Sequence, residues 1–247
     1  PALTKGSDLV GTLTRMEAND VLFIDEIHRL PAAVEEYIYP AMEDYKIDFT
    51  LDTGMHARVV SYSLKPFTLI GATTRAGLLT GALRSRFGIV HNLRFYDDNE
   101  LTDILVQAAN KLENVNINRD ALHTIASRSR GTPRIALRLL RRVRDYADVR
   151  CDGNFDADVV NAALTLEGID EVGMDALDRT YMETIAQTYE GGPVGVEAVA
   201  ASMGEDAGTL QDVVEPYLLQ VGFLARTRMG RQITPKGLEW LKNSVTH

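Results

Sequence analysis

The chain has 247 residues and a formal net charge of −9, and one quarter of its residues are charged. Cys151 is its single cysteine, which excludes an internal disulfide and agrees with a reducing cytoplasm. No apolar run approaches the roughly 20 residues that span a bilayer, and no signal-peptide pattern is present. The length predicts two or three domains, and we expect a cytoplasmic protein without a membrane partner.

The charge is unevenly distributed along the chain. A negative total argues against a nucleic-acid partner, because phosphate contacts supply most non-specific affinity. However, residues 128–150 carry a net charge of +6 and residues 226–242 a net charge of +4, whereas residues 21–60 carry −5. Two basic patches on an acidic body are compatible with a protein that lets DNA touch one chosen face.

The first predicted strand is the most informative element. Four apolar residues, Val21 to Ile24, lead directly into Asp25 and Glu26. This run predicts a buried central strand that delivers two acids to a sheet edge. In phosphate-loop nucleotide hydrolases, the first acid holds magnesium through water and the second orients the attacking water. A core strand that merely ends in solvated acids fits the run equally well. His28 has no partner at metal-ligand spacing, which disfavours a zinc site.

Residues 44–65 alternate apolar and polar positions around Asp52, Thr53 and Gly54. The pattern predicts a β-hairpin with an Asp/Gly turn, and from the pattern alone an ordinary sheet edge is favoured.

A second apolar strand, at residues 66–72, ends in Thr73 and Thr74, and Arg86 follows in the next segment. Threonine hydroxyls can bind a γ-phosphate or the attacking water, and a guanidinium can stabilise the phosphoryl-transfer transition state. Taken alone, these residues would indicate turn chemistry and a solvated arginine. Their order within one compact segment favours the catalytic interpretation.

From residue 97 to about residue 168 the pattern becomes helical and predicts a small helical domain. The candidate helix caps are Asp98 or Asn99, then Asn118 or Asp120, then Asp156. The best-patterned helix spans residues 134–150, with one apolar face and several arginines on another. Since Pro133 starts this helix, Arg134 is expected near the helix N-terminus.

Residues 169–247 have the order helix, short strand, helix, helix, hairpin, which is typical of a winged helix. Helices are predicted at residues 178–189, 196–203 and 209–220, and the wing at residues 223–234. The third helix carries Asp212 and Glu215 instead of basic residues, so the positive charge lies on the wing. We therefore expect phosphate contact with little sequence specificity. Trp240 is expected to pack the last helix onto the wing.

Several long strings carry a family resemblance: VLFIDEIHRL, EEYIYPAMEDY, PFTLIGATTRAGLL, LRSRFGI, RSRGTPRIALRLLRRVRDYA and GGPVGVEAVAA. The chain resembles the RuvB family of bacterial Holliday junction branch-migration motors, of the AAA+ class. The resemblance implies ATP and Mg²⁺ as cofactors. It implies these roles: Asp25 and Glu26 as Walker B acids, with Asp25 holding magnesium through water; Thr74 as first sensor; Arg86 as arginine finger; Arg134 as second sensor; Glu43, Asp44, Tyr45 and Tyr96 as residues lining the nucleotide pocket; Arg226 and Arg231 as DNA contacts; and Val60 and Tyr62 as contacts to the partner protein RuvA.

The resemblance also implies an α/β fold with three domains: a truncated AAA+ parallel-sheet ATPase core at residues 1–95, a small helical lid at residues 96–168, and a C-terminal winged-helix domain at residues 169–247. The implied partners are Holliday junction or duplex DNA, RuvA and other copies of the chain in a hexameric ring, with the resolvase RuvC as a further candidate. An origin-recognition or clamp-loader relative, and a non-enzymatic winged-helix adaptor, are the alternative functions.

Two departures from the family pattern stand out. The 247 residues contain no Gly-x-x-x-x-Gly-Lys-[Ser/Thr] phosphate loop. We therefore expect the chain to be a fragment that hydrolyses ATP poorly on its own but can still lend Arg86 to a neighbour. In the wing, the family's Arg-Thr-Pro-Arg-Gly-Arg appears as Arg226-Thr227-Arg228-Met229-Gly230-Arg231, so one proline is absent and one arginine is shifted.

Overall fold

A computed structural model describes residues 6–50, 59–111 and 118–244. It divides into two compact units, residues 1–92 and 93–247. Across the described ranges, every helix is too short or too polar to cross a lipid bilayer.

The first unit pairs a parallel two-stranded sheet with a hairpin and three helices. Its elements are α1 (Gly6–Leu13), β1 (Val21–Ile24), α2 (Ala32–Asp44), β2 (Lys46–Thr50), β3 (Val59–Ser63), β4 (Thr68–Gly71) and α3 (Gly81–Arg86), with short 3-10 turns at Ile27–Arg29 and Ala76–Leu78. β1 and β4 are parallel, with Ile24 opposite Gly71. β2 and β3 form the predicted antiparallel hairpin, whose Asp52–Gly54 turn lies outside the described residues.

The first strand is not buried on both faces, so this part of the prediction is wrong. Ile24 is buried, but Val21 and Phe23 are 57% and 58% exposed, and Ile70 on β4 is 46% exposed. The core of the unit lies on the other face, where Ile24 packs with residues of α1 and α2 such as Leu9 and Ile38. A strand is buried on both faces only when both are covered, and the described elements cover one.

The second unit begins with the predicted helical domain. Its helices are α4 (Asp98–Ala109), α5 (Arg119–Ser127), α6 (Pro133–Arg150) and α7 (Ala157–Leu166). They share one core, in which α6 buries the predicted apolar face. Asn118 and Asp156 cap α5 and α7 as predicted.

The cap predicted for α4 is wrong by one residue. Asp97, not Asp98 or Asn99, accepts the Glu100 N–H at 2.8 Å, and Glu100 accepts the Asp97 N–H at 3.0 Å. This reciprocal pair is a capping box, which satisfies two otherwise unpaired amides at once and so decides where the helix starts.

The rest of the second unit has the predicted winged-helix order. It contains α8 (Ala176–Thr188), α9 (Val196–Met203), β5 (Leu224–Thr227), β6 (Gly230–Ile233) and α11 (Pro235–Ser244). Between them, α10 covers residues 207–220 and consists of Ala207–Thr209, a π turn at Leu210–Val214 and Glu215–Gln220.

The wing lies close against the segment before α9. Val194 forms a β-bridge with Arg231. Gly230 has φ of 137°, and a Cβ there would lie 2.3 Å from the Val194 carbonyl oxygen, so only glycine fits. Trp240 of α11 is buried and stacks on Phe223, which directly precedes β5, at 5.4 Å. This confirms the packing predicted for Trp240.

Candidate functional site

The two Walker B candidates lie where the parallel pair β1–β4 ends. Because parallel strands deliver their carboxyl ends to one edge, Asp25 and Glu26 lie at the same edge as Thr73 and Thr74. The Thr74 hydroxyl donates to Glu26 Oε2 at 3.2 Å, and the Thr74 N–H donates to the same oxygen at 3.3 Å. The structure therefore brings the predicted water-orienting acid and the predicted first sensor into direct contact.

Glu26 is held in an unfavourable backbone conformation. Its φ of 50° and ψ of 47° lie in the left-handed region, which costs a non-glycine residue of order 1–3 kcal/mol. The contacts of its carboxylate with Thr74 and His28 oppose this strain.

His28 has a role that sequence reasoning missed. Its side chain is only 6% exposed, and its Nδ1 lies 3.2 Å from Glu26 Oε2 and 2.8 Å from the Thr73 hydroxyl. The contact with Thr73 is a hydrogen bond, and the contact with Glu26 is a close approach of the ring to the carboxylate. The sequence feature that could have indicated this contact is the position of His28, two residues after Glu26 in the turn that follows the strand.

Asp25 suits a magnesium ion that keeps most of its water. Asp25 is exposed, and its Oδ1 accepts the Glu26 N–H at 3.0 Å. Across the described ranges, His, Cys, Asp and Glu side chains form no group of three that could hold a metal ion directly. Mg²⁺ dehydrates reluctantly and commonly binds through one or two carboxylates plus substrate phosphates. One exposed carboxylate therefore fits a water-mediated contact, not a protein cage.

The arginine-finger candidate, Arg86, ends α3 and packs on α2 of its own chain. Its guanidinium carbon lies 4.3 Å from the centre of the Tyr39 ring, and Nη1 donates to the Ala82 carbonyl at 2.8 Å. Nε lies 3.0 Å from Glu43 Oε1 but lacks hydrogen-bond geometry, so this contact is an ion pair only. Arg86 is thus positioned by an aromatic face and one carbonyl.

Three residues that support Arg86 were not predicted. The Tyr39 and Thr80 hydroxyls donate to Glu35 Oε2 at 2.6 and 2.9 Å, and Thr80 also caps α3. The hydrogen bond to Glu35 is the main reason that the pKa of Tyr39 is raised. The missed signal was spacing, because Glu35, Tyr39 and Glu43 recur every four residues on one face of α2.

The Glu43–Tyr45 motif lies at the C-terminal end of α2. Glu43 contacts Arg86, whereas Tyr45 ends the helix with φ of 52° and packs edge-on against Phe67. Asp44 is exposed. The structure therefore associates Glu43 with the arginine-finger candidate.

In the second unit, the other two nucleotide candidates lie on adjoining backbone. Pro133 occupies the first turn of α6, as predicted, and the exposed Arg134 follows it. The Tyr96 N–H donates to the Gly131 carbonyl at 2.9 Å. Gly131 has φ of 66°, and a Cβ there would lie 2.7 Å from Phe95 Cβ. Close packing at this glycine holds the loop before Arg134 against the segment of Tyr96.

The two candidate partner contacts on the hairpin differ in exposure. Tyr62 is 44% exposed, whereas Val60 is half-buried. Tyr62 pairs with Ile47, which is fully buried. Of the two candidates, Tyr62 therefore has the more accessible side chain.

The two DNA-contact candidates, Arg226 and Arg231, face each other across the wing and share one buried carboxylate. Arg226 Nε and Arg231 Nε both donate to Glu215 at 2.8 Å, and the Tyr181 hydroxyl donates to Glu215 Oε1 at 2.8 Å. Glu215 is fully buried, while the side chains of Arg226 and Arg231 are 49% and 17% exposed. Arg226 is thus the more accessible of the two, and the exposed Arg228 lies at the wing tip.

The arginines decide the ionisation of Glu215. Burial alone would raise the pKa of its carboxyl, but hydrogen bonds from Arg231, Tyr181 and Arg226 outweigh burial and lower it. Burial and the hydrogen bond to Glu215 raise the pKa of Tyr181. The network is therefore an ionised carboxylate held between two guanidiniums.

Family models match the chain in three successive ranges. Residues 1–93 match the P-loop domain of the Holliday junction DNA helicase RuvB, residues 96–170 match the RuvB AAA lid domain, and residues 171–242 match the RuvB C-terminal winged-helix domain. These matches confirm the predicted α/β fold class, with AAA+ core, helical lid and winged helix.

Solved structures give the same assignment. The RuvB Holliday junction branch migration motor of Thermotoga maritima is 49% identical with a TM-score of 0.86, and the match covers 98% of this chain and 76% of that one. Two point variants of the same protein are 50% and 49% identical, with TM-scores of 0.87 and 0.88. These matches cover 97% and 98% of this chain, and 75% and 77% of the variants.

Proposed function

The chain belongs to the RuvB family of Holliday junction DNA helicases, and on that premise we propose that it is an ATP-dependent DNA motor subunit that drives branch migration in recombination and repair. The observation that carries the proposal is the contact between Glu26 and Thr74 at the end of β1 and β4. An acid and a hydroxyl at one sheet edge are what a nucleotide hydrolase needs to orient water beside a terminal phosphate.

Within the first unit, we assign the chemistry to three residues. Bound Mg²⁺–ATP would supply the electrophilic phosphoryl group. Asp25 would hold the magnesium through water, Glu26 would orient the attacking water, and Thr74, which bonds Glu26, would keep it in place and sense the terminal phosphate. His28, whose side chain is almost fully buried, supports Glu26 through their close contact.

Arg86 is assigned to the nucleotide of a neighbouring copy, in a hexameric ring. Glu43, Asp44 and Tyr45, which follow one another at the end of α2, are assigned to the nucleotide environment beside Arg86. In the second unit, Tyr96 is assigned to nucleotide binding, and Arg134 is assigned as the second sensor. The hydrogen bond between Tyr96 and Gly131 supports this grouping.

The remaining assignments concern partners and domain limits. Tyr62, together with the half-buried Val60, is proposed to contact RuvA, and RuvC is a further candidate partner of the assembly. We propose domain limits at residues 95 and 168. The separate cores of the lid and the winged helix support the second of these limits.

We expect the wing to bind DNA through phosphates. Arg228→Ala and Arg226→Ala should each reduce the slope of log K against log salt by about 1 and weaken all sequences equally. Fluorescence anisotropy with two unrelated duplexes measures this. Arg150→Ala, which removes an exposed arginine from the lid, is the matched control. A strong preference for one duplex, or an unchanged slope in both wing variants, would contradict phosphate binding by the wing.

The motor function is tested with a synthetic four-way junction. This chain is mixed with RuvA and with a RuvB family member that has the phosphate loop but lacks its arginine finger, and we expect ATP-dependent conversion of the junction into duplexes. No conversion, combined with unimpaired DNA binding by this chain, would favour the alternative of a non-enzymatic winged-helix adaptor.

A further inference from the structure

Arg130 belongs to the lid, between α5 and α6, but its side-chain contacts lie on the winged-helix segment. Nε donates to the Gly173 carbonyl at 2.8 Å, and Nη2 donates to Asp175 at 3.0 Å and to Asp178 at 2.5 Å. The guanidinium carbon lies 5.3 Å from the centre of the Tyr217 ring. The side chain is only 10% exposed. One arginine thus joins the lid to α8 and α10.

The two aspartates that accept hydrogen bonds from Arg130 are themselves held in place. Asp175 and Asp178 form the capping box of α8, and Asp178 is 1% exposed. Burial raises the pKa of Asp178 to about 6, while the charge of Arg130 acts in the opposite direction. A buried carboxylate without its cation is strongly destabilising. We therefore expect the ion pair between Arg130 and Asp178 to persist in the folded protein.

The backbones also meet at this seam. Gly173 has φ of 83°, and a Cβ there would lie 2.7 Å from the Arg128 carbonyl oxygen. Arg130 itself has φ of 53°, in the left-handed region. Such a conformation persists in a non-glycine residue only when its surroundings hold it, and the Asp175–Asp178 pair supplies that hold.

The contacts extend in both directions from Arg130. On one side, Gly131 follows directly and leads to Arg134, the second-sensor candidate. On the other side, Asp178 lies one turn of α8 before Tyr181, which donates to Glu215, the carboxylate that holds both wing arginines. Two hydrogen-bonded clusters, one around Arg130 and one around Glu215, are therefore joined through one turn of α8.

We propose that Arg130 is a positioning residue that clamps the Gly131–Arg134 loop to the winged helix, so that lid and wing move as one body. Its use in coupling nucleotide state to DNA movement rests on the proposed function. The clamp itself does not, because it can be measured without nucleotide or DNA.

The clamp is tested by the distance between two spin labels, one on the lid and one on the wing. Val149 and Met229 are 82% and 80% exposed, and each is replaced by cysteine in a Cys151→Ser background. We expect one narrow distance distribution, and loss of that narrow peak in Arg130→Ala. Arg128→Ala is the matched control, since Arg128 bonds Asn161 within the lid. An unchanged peak in folded Arg130→Ala would overturn the proposal.

Two further variants keep the test decisive. If Arg130→Ala does not fold, Asp175→Asn weakens the same clamp from its more exposed side and should also broaden the peak. Arg130→Lys keeps the charge but cannot form the planar fork, so it should restore the narrow peak only in part. A motor-active mixed assembly that contains Arg130→Lys should move fewer base pairs per ATP hydrolysed than one that contains the unmodified chain, whereas an unchanged ratio would contradict the coupling role.

Discussion

We expect the 247-residue chain alone to show ATP hydrolysis close to background, and to restore turnover when mixed with a RuvB family member that has the phosphate loop but lacks its own arginine finger. The gain should be about 10³–10⁵-fold, the range for an arginine finger supplied in trans. A coupled ATPase assay at fixed total protein measures it. Arg86 is the residue on which the restoration should depend.

The geometry around Arg86 makes this gain attainable. Release of the guanidinium from Glu43 breaks an ion pair in which Glu43 is 53% exposed and Arg86 24% exposed. Water reaches the pair from the side of Glu43, and such pairs contribute about 1 kcal/mol or less. A gain of 10³–10⁵ corresponds to about 4–7 kcal/mol of transition-state stabilisation. The second quantity is much larger, so the contact with Glu43 does not prevent transfer of Arg86 to a neighbour.

The control for this prediction is Arg84, which lies two residues before Arg86 on α3 and is exposed. Arg84→Ala removes the same charge from the same helix and should restore turnover as well as the unmodified chain does. Arg86→Ala should give no restoration. Equal restoration of ATP turnover by Arg84→Ala and Arg86→Ala would show that the chain only completes the assembly and supplies no catalytic arginine.

The sequence was sufficient for features set by local chemistry and by long family strings. The acids after β1, the cap at Asp156, the proline at the start of α6 and the hairpin of the wing all follow from short patterns that act within a few residues. The observed N-termini of two helices differ from the predicted ones by one or two residues. In both cases an aspartate just before the helix, Asp97 or Asp175, forms a capping box.

The supporting residues could not be predicted from short patterns, because their partners are distant in sequence. His28 contacts Thr73 across 45 residues, and Arg130 contacts Asp178 across 48. Such pairs depend on which strand ends and helix starts the fold brings together. The exposure of Phe23 could not be predicted from the pattern either. An apolar run indicates a preference for burial, but it does not indicate whether another element covers the strand.

Glu215→Ala, a change in α10, should strongly destabilise the winged helix. Removal of one partner from a buried ion pair costs about 3–5 kcal/mol, and here it leaves Arg231, Arg226 and the Tyr181 hydroxyl without their shared acceptor. Urea unfolding followed by Trp240 fluorescence measures the loss, because Trp240 lies in the same core. Glu239→Ala, an exposed acid on α11, should change stability by less than about 0.5 kcal/mol.

The same network predicts the sign of the pH dependence. The pKa of Glu215 is lowered in the folded chain, so the folded state binds fewer protons here than the unfolded state does. The contribution of Glu215 to folding stability is therefore complete above its unfolded pKa of about 4.3. That contribution is lost as the pH falls through the lower pKa of the folded state. Glu215→Gln should flatten the stability profile in that acidic range, and a profile as steep as that of the unmodified chain would contradict the assignment.

A double variant separates fold stability from DNA contact. Replacement of a buried ion pair by apolar residues of similar volume is often neutral or stabilising, so Glu215→Leu combined with Arg231→Leu should recover much of the stability lost in Glu215→Ala. The double variant should still bind DNA weakly, because Arg226 then lacks the carboxylate that fixes its orientation and Arg231 is gone. Recovery of stability with full DNA affinity would show that the buried carboxylate serves the fold alone. Recovery of stability with an affinity below that of Arg231→Leu alone would show that Glu215 positions Arg226 for phosphate contact.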